Sequence, residues 1–266
     1  MLEVLTLQIG KAHCAEFELY GSDASCTSCS GCASEAAPSA PPPSEDIDYC
    51  CYAYLVRSNS RLILVDTGFN SKCLAHQVGC DEYRSVVELL GQINILPEQI
   101  TDVVITHAHW SNMGALSNFL KARIFISIRE INAMEKALDS QFSLSPYRWE
   151  DMNVLGLASK LHMVKRGLAI DENLRLDVIG GHSPGFLLPT VMYQGVSRLM
   201  LAGDNLPMYK HLQGAPLPQG WCPPAETVLA RLKQRTQNAF ILPGRDPAVM
   251  KRYPQVAPGI VQILNV

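Results

Sequence analysis

The chain predicts an α/β fold in which β-sheets are covered by helices. Short strand-like runs outnumber helical ones early in the sequence, and the two then alternate along the remainder. A composition of 47% hydrophobic and 18% charged residues suits a globular chain with a sizeable core. At 266 residues the prior is one large domain or two small ones. The order of elements favours a single domain over residues 1–266, carrying one inserted loop.

Met1–Gly10 reads as a strand. It has no basic leader, its apolar run is too short for a signal peptide, and no stretch of the sequence is long enough to span a bilayer, so the expected location is the cytoplasm. Residues 21–48 differ in kind. Small residues, Cys26, Cys29 and Cys32, and the run Pro41-Pro42-Pro43 leave no periodicity, which defines a Cys-, Pro- and Ser-rich inserted loop. Tyr52–Val56 and Arg61–Val65 form a hairpin around Ser58-Asn59-Ser60. From Tyr83 to Ile93, Val86, Val87, Leu89, Leu90 and Ile93 recur at helical spacing. Leu96-Pro97-Glu98 opens a helical turn with proline suited to its first position. Val103–Ile105 is a buried strand that delivers His107. Further strands are expected at 123–127, 174–179, 190–194, 198–202 and 239–242, and helices at 129–138 and 224–235.

Net charge excludes one set of partners. At −3 it gives no electrostatic case for nucleic acid or an anionic membrane, which leaves a small molecule as the expected ligand and a homodimer as an open question. Nine cysteines in a reducing compartment argue against a disulfide framework. Cys26-x-x-Cys29-x-x-Cys32 has metal or iron–sulfur spacing but needs a fourth ligand, for which Cys14, Cys50 or Cys51 are candidates. The pattern is incomplete, and incidental thiols in a small-residue loop are the favoured reading.

The chemistry-bearing residues cluster after strands. His107-Ala108-His109 follows the run 102–106 and puts two imidazoles where they can grip one ion. Gly181-His182-Ser183-Pro184-Gly185 sets a third histidine in a glycine-rich turn, and Gly203-Asp204-Asn205 sets a carboxylate after another strand. Three imidazoles and a carboxylate suit one divalent metal ion, zinc first, with iron or manganese as alternatives. The competing reading of each is plainer: His107 and His109 as polar turn residues, and Asp204 as a cap or as the partner of Arg245. His13, His76, His162 and His211 belong to no motif and read as surface or packing residues.

Taken in order, Asp66-Thr67-Gly68, His107-Ala-His109-Trp110, Gly181–Gly185, Gly203-Asp204-Asn205 and Pro243-Gly244-Arg245-Asp246-Pro247 resemble the five motifs of the metallo-β-lactamase superfamily. The resemblance covers roughly residues 52–254, and Trp110, Asn205 and Pro247 fit its N-acyl-homoserine lactonase-like branch. It implies an αββα sandwich of two sheets flanked by helices. It also implies a metal held by His107, His109 and His182, with Asp204 as the bridging carboxylate and Asp66 as a brace for the metal loops. The private ligands of the family's second metal fall on Ser111, Asn112 and Arg245, and all three are replaced. The missing aspartate and the added arginine each contribute one positive charge, which together offset the loss of a divalent ion. Arg245 is therefore expected to fill part of the vacated space, pairing with Asp204 or binding an anionic group of a substrate. Tyr209 is a third catalytic candidate beside Asp204 and Arg245, although its offset is unusual and Pro207 stands where the family's tyrosine is expected.

Three functions are weighed on these grounds. The first is a divergent metal-dependent hydrolase of a lactone, ester or related small molecule, working with one metal and an activated water. The second is a mononuclear non-heme iron, dioxygenase-like enzyme using His107, His182 and Asp204. The third is a non-catalytic binding protein that kept the fold. The first is placed ahead.

Overall fold

A period-two alternation divides each main strand between two layers of core, and two sheets with helices outside them follow from that division. The computed structural model describes residues 1–15, 46–58, 60–70, 80, 82–140, 146–216, 223–235 and 239–266. In chain order the strands are β1 (Glu3–Ala15), β2 (Asp46–Arg57), β3 (Leu62–Val65), β4 (Asp102–Val104), β5 (Arg123–Ser127), β6 (Leu161–Val164), β7 (Gly167–Ala169), β8 (Leu174–Val178), β9 (Leu187–Tyr193), β10 (Val196–Gly203), β11 (Phe240–Pro243), β12 (Gln255–Ala257) and β13 (Ile260–Asn265). They form a sheet ordered β12-β13-β1-β2-β3-β4-β5-β6 and a second ordered β11-β10-β9-β8-β7. The helices are α1 (Val86–Gln92), α2 (Trp110–Met113), α3 (Ile128–Asp139), α4 (Trp149–Gly156), α5 (Ala225–Arg235) and α6 (Ala248–Arg252).

Val4, Tyr52, Tyr54, Ile63 and Val65 of the larger sheet meet Leu174, Leu176, Leu187, Val191, Leu199 and Leu201 of the smaller one in a single buried cluster between the sheets. The alternate residues Leu5, Leu7, Ile9, Leu55, Leu64 and Val103 face the other way, onto Leu89 and Leu90 of α1 and Met134 and Leu138 of α3. On the far side of the smaller sheet, Leu188, Met200 and Ala202 pack against Val228 and Leu232 of α5. This is the αββα sandwich that the sequence predicts. Among the described residues, no helix is long and apolar enough to cross a membrane.

Several boundaries move for physical reasons. The helix expected from Tyr83 begins at Val86, because Ser85 is its N-cap in a capping box with Glu88, each side chain bonding to the other's backbone N–H. The strand expected to start at Thr190 begins at Leu187. Pro189 is tolerated because it pairs with Leu176 of β8, just past the end of the β9–β10 ladder, whose last pair is Thr190 with Met200. The inserted loop is shorter at its far end than expected, since Asp46, Ile47 and Asp48 already pair with Ala15, Cys14 and His13 of a lengthened β1. Cys26, Cys29, Cys32 and His76 lie outside the described residues. The short strands β6, β7, β12 and β13 and the helix α4 carry too few periodic residues to stand out from sequence alone.

Asp151 of α4 is buried with an Oδ2 that makes no hydrogen bond. Burial, opposed by Arg148 and reinforced by Glu150, pushes its carboxyl from 3.8 up to about 6. The folded protein thus holds this proton more tightly than the unfolded chain does. The group's contribution to stability is full below about pH 4 and falls as pH rises towards about 6. Asp151→Asn is expected to flatten that fall and to raise the unfolding free energy at neutral pH by about 1–2 kcal/mol in urea titrations; a less stable variant at neutral pH would contradict it.

Candidate metal centre

The candidate residues sit on turns that leave the ends of strands, and the sandwich brings those ends together. Val104 ends β4, and two residues later the chain reaches Thr106 and His107. Asp66 follows β3, Asp204 follows β10, and Arg245 lies two residues past β11. Because β3 runs parallel to β4, and β10 to β11, each pair of turns opens at the same end of its sheet.

His107, His109 and His182 converge so that one ligand-capable nitrogen of each lies within 4.8 Å of the others. Their rings stand edge-to-face, with centroids 4.5 Å apart for His107 and His109 and 4.9 Å apart for His109 and His182. His107 is fully buried and is backed by the ring of Phe186 at 5.3 Å. Its tautomer follows from a relay. The Asp66 carboxylate accepts the Thr106 hydroxyl at 2.8 Å, so the Thr106 oxygen is left to accept from His107 Nδ1 at 2.9 Å. Nε2 of His107 is buried without a hydrogen-bond partner, 3.4 Å from Asp204 Oδ2. An orphaned imidazole nitrogen buried beside two other histidines and a carboxylate is a donor arrangement that suits a divalent ion. The residues present therefore fit one such ion.

Asp66, expected as a brace, fills that role in the geometry. Besides the Thr106 hydroxyl, it accepts the Thr106 backbone N–H at 2.8 Å and the Asn112 side-chain amide at 3.0 Å. Its backbone takes φ of 58°, a left-handed conformation that aspartate tolerates better than most residues. Burial raises its carboxyl to about 6, although His107, Thr106 and Asn112 all pull the other way.

Arg245 reaches Ser111 and Asn112, the other two positions at which the resemblance places ligands of a second metal. Its Nη2 donates to Asp204 Oδ2 at 2.6 Å and faces Ser111 Oγ and Asn112 Oδ1, each at 3.3 Å, while Nη1 donates to Cys51 Sγ at 3.0 Å. The backbone holds it in place. Arg245 N donates to Pro207 O at 2.9 Å, and Cys50 N donates to Arg245 O at 2.8 Å. Gly244 rests directly on the backbone of Gly203, with no room for a Cβ between them. Burial opposes both charges of the pair. Even so, the Arg245 guanidinium, with His107 and His182, holds Asp204 well below the usual carboxylate range, and Asp204 in turn raises Arg245. Burial pushes the Cys51 thiol up against the pull of Arg245, so Cys51 is a neutral neighbour of the guanidinium. Nη1 and Nη2 are both turned to protein acceptors, and Arg245 is paired with Asp204.

Tyr209 is placed differently from a catalytic hydroxyl. It begins a 3-10 turn, its ring lies 4.0 Å under the Arg252 guanidinium, and its N–H donates to Asp246 at 2.8 Å. Burial and a hydrogen bond with Tyr253 raise its hydroxyl pKa, which makes it a poor proton donor. Among the histidines outside the motifs, His162 stacks on Phe125 at 4.8 Å, His13 meets Asp48 at 3.0 Å and His211 is buried. Sequence reasoning passed over Thr106, Tyr147 and Glu130, and considered Cys51 only as a ligand for the cysteine cluster rather than as a partner of Arg245. Thr106 adjoins the histidine motif and was open to notice, whereas the other three are brought in by tertiary packing.

Comparison with known proteins agrees with the motifs. The family model described as "Metallo-beta-lactamase superfamily" matches residues 49–254. The N-acyl homoserine lactonases AiiB of Rhizobium rhizogenes and Agrobacterium fabrum are 27% and 26% identical over 177 residues, 59% of this chain. The chain spans 63% of the length of these curated relatives in that match. Among solved structures, a quorum-quenching N-acyl homoserine lactone lactonase superposes with a TM-score of 0.74 at 17% identity, covering 97% of this chain and 98% of the other. The dizinc quorum-quenching lactonase AidC, in complex with its product, gives 0.65 at 21% identity, covering 100% and 95%. At such identities the structural likeness is one of fold. The family match, by contrast, extends over well more than half of the sequence and takes in every motif from Asp66 to Arg245, and on it the chain belongs to the metallo-beta-lactamase superfamily.

Proposed function

We propose that this chain is a metal-dependent hydrolase of a lactone, ester or related small molecule, built around one divalent ion and one fixed guanidinium. The observation that carries the reading is the Arg245 Nη2 contact with Asp204 at 2.6 Å, beside Ser111 and Asn112, with three histidines left facing one another across the same carboxylate. His107, His109 and His182 would hold the ion, zinc by the chemistry of the donor set. A divalent ion there supplies a Lewis acid that polarises a carbonyl and makes water nucleophilic near neutral pH.

The remaining work falls to the chain itself. Asp204, kept ionised by Arg245, is too weak a base to hold a proton; its role is to accept a hydrogen bond and orient the attacking water. Arg245 contributes a permanent positive charge that needs no ligand exchange and opposes charge build-up at Asp204. Phe186 and Tyr147 line the histidines and exclude water from their outer faces. The iron reading would use Asp204 as a ligand beside His107 and His182, and bound iron with O₂ uptake, in place of zinc with hydrolysis, is the result that would favour it. The names of the lactonase relatives make N-acyl homoserine lactones the first substrates to try.

Elemental analysis of protein purified without added metal is expected to give about one zinc per chain, lost in His107→Ala/His182→Ala together with about 100-fold or more of any lactone-opening rate. No metal in the parent protein would overturn the reading. Two ions per chain would overturn the part assigned to Arg245. Arg245→Leu is expected to destabilise the fold by about 3–5 kcal/mol in denaturant, because it strands a buried carboxylate. Arg245→His combined with Ser111→Asp and Asn112→His is expected to take up a second ion, whereas Arg245→His alone is not. Uptake of a second ion by the single variant would show that residues 111 and 112 do not matter.

A further inference from the structure

Glu130 has no part in the motifs, yet among the described residues all four hydrogen bonds of its side chain run to the surroundings of the histidines. It is the third residue of α3, whose N-cap Ser127 accepts from Arg129 N at 3.1 Å, and it is fully buried. Oε1 accepts the backbone N–H of Ala108, between His107 and His109, at 3.0 Å, and the Tyr147 hydroxyl at 3.1 Å. Oε2 accepts the Ser183 hydroxyl at 2.7 Å and the Gly185 backbone N–H at 3.0 Å, both on the turn that carries His182. The Tyr147 ring in turn stands edge-on to His109, with centroids 5.0 Å apart. Gly185 is seated on the Glu130 backbone so closely that a Cβ would collide with it, so the turn bearing His182 docks on the first turn of α3.

We propose that Glu130 is a positioning residue: it clamps the two histidine loops at a fixed separation and thereby sets the affinity of the site for metal. This inference rests on the metal centre proposed above. A position required only for packing would be served better by a leucine, since burying a carboxylate is costly unless each oxygen is satisfied. Here each oxygen is satisfied by one donor from a histidine loop and a second beside it. Oε1 takes the loop of His107 and His109, and Oε2 takes the loop of His182. Two loops that are distant in sequence share one rigid acceptor, so any change in its shape moves one set of ligands relative to the other.

The test titrates metal-free protein with Co²⁺ against a competing chelator, and records the Co²⁺ absorption spectrum and the thermal midpoint of the metal-free form. Glu130→Gln replaces one acceptor oxygen with an NH₂ group, so whichever way the amide turns it cannot accept both the Ala108 and the Gly185 N–H. It is expected to weaken Co²⁺ binding by about 10–100-fold and to shift the visible spectrum, with the metal-free midpoint moved by only a few degrees. Tyr147→Phe keeps the ring against His109 and loses one bond, and Ser183→Ala loses another; together they are expected to approach the Glu130→Gln value. If Glu130→Gln does not fold, the Tyr147→Phe/Ser183→Ala double variant decides on the same readouts. Binding within about threefold of the parent with an unchanged spectrum overturns the inference, whatever happens to the midpoint, and leaves the metal centre intact. A parent protein that binds no Co²⁺ overturns the metal centre, and the clamp with it.

Discussion

A carboxylate buried where the two sheets meet has to be given a positive partner, and most of the site can be read as the answer to that demand. Asp204 is 6% exposed and ionised, Arg245 is 7% exposed, and neither would be stable without the other. The guanidinium then needs acceptors of its own, which Cys51, Ser111 and Asn112 supply. Asn112 passes the arrangement on to Asp66, Asp66 to Thr106, and Thr106 fixes the tautomer of His107. One ion pair is thereby linked through side-chain hydrogen bonds to the nitrogen that faces the other two histidines. Polar networks of this kind are stable only when every member is satisfied, and the unsatisfied atom left in this one is His107 Nε2.

The fold serves this network by supplying fixed ends. Strands buried on both faces hold their termini still, and the turns that follow β3, β4, β10 and β11 need only be short to bring Asp66, His107, Asp204 and Arg245 within reach of one another. Helix α3 adds a second kind of support. It covers the larger sheet through Met134 and Leu138, while its first turn reaches the histidine loops through Glu130.

Much of this was legible in the sequence, and the gaps have physical causes. Strongly alternating or buried strands such as Tyr52–Val56 and Val103–Ile105 announce themselves, and the ordered turns after them carry the histidines, Asp204 and Arg245. The replacements at Ser111 and Asn112, set against Arg245, could be read by counting charges, which offered pairing with Asp204 as one of two roles for the guanidinium, and the ion pair is the contact the structure contains. What could not be read are contacts between residues with no shared local signal. Glu130 looks like any acidic residue in the first turn of a helix, and Cys51 like any apolar position on a strand, until packing sets one against Ala108 and Ser183 and the other against Arg245. Short edge strands such as β7 and β12 bury too little to leave a pattern. Tyr209 is a residue type that suits the chemistry, and packing holds its ring under Arg252, a contact that leaves no sign in the sequence.

The backbone contact between Gly203 and Gly244 has a consequence for how such a centre changes over time. Those two glycines set the distance between positions 204 and 245 through main chain alone, with no side chain between them. The frame is therefore indifferent to what stands at 245. Some histidine and arginine codons differ by one base, so the change at 245 is a small step that needs no rearrangement of the strands, although a site for a second ion would also call for changes at 111 and 112. Under the one-ion reading proposed above, such a frame lets a covalently attached cation supply the positive charge that the buried carboxylate requires.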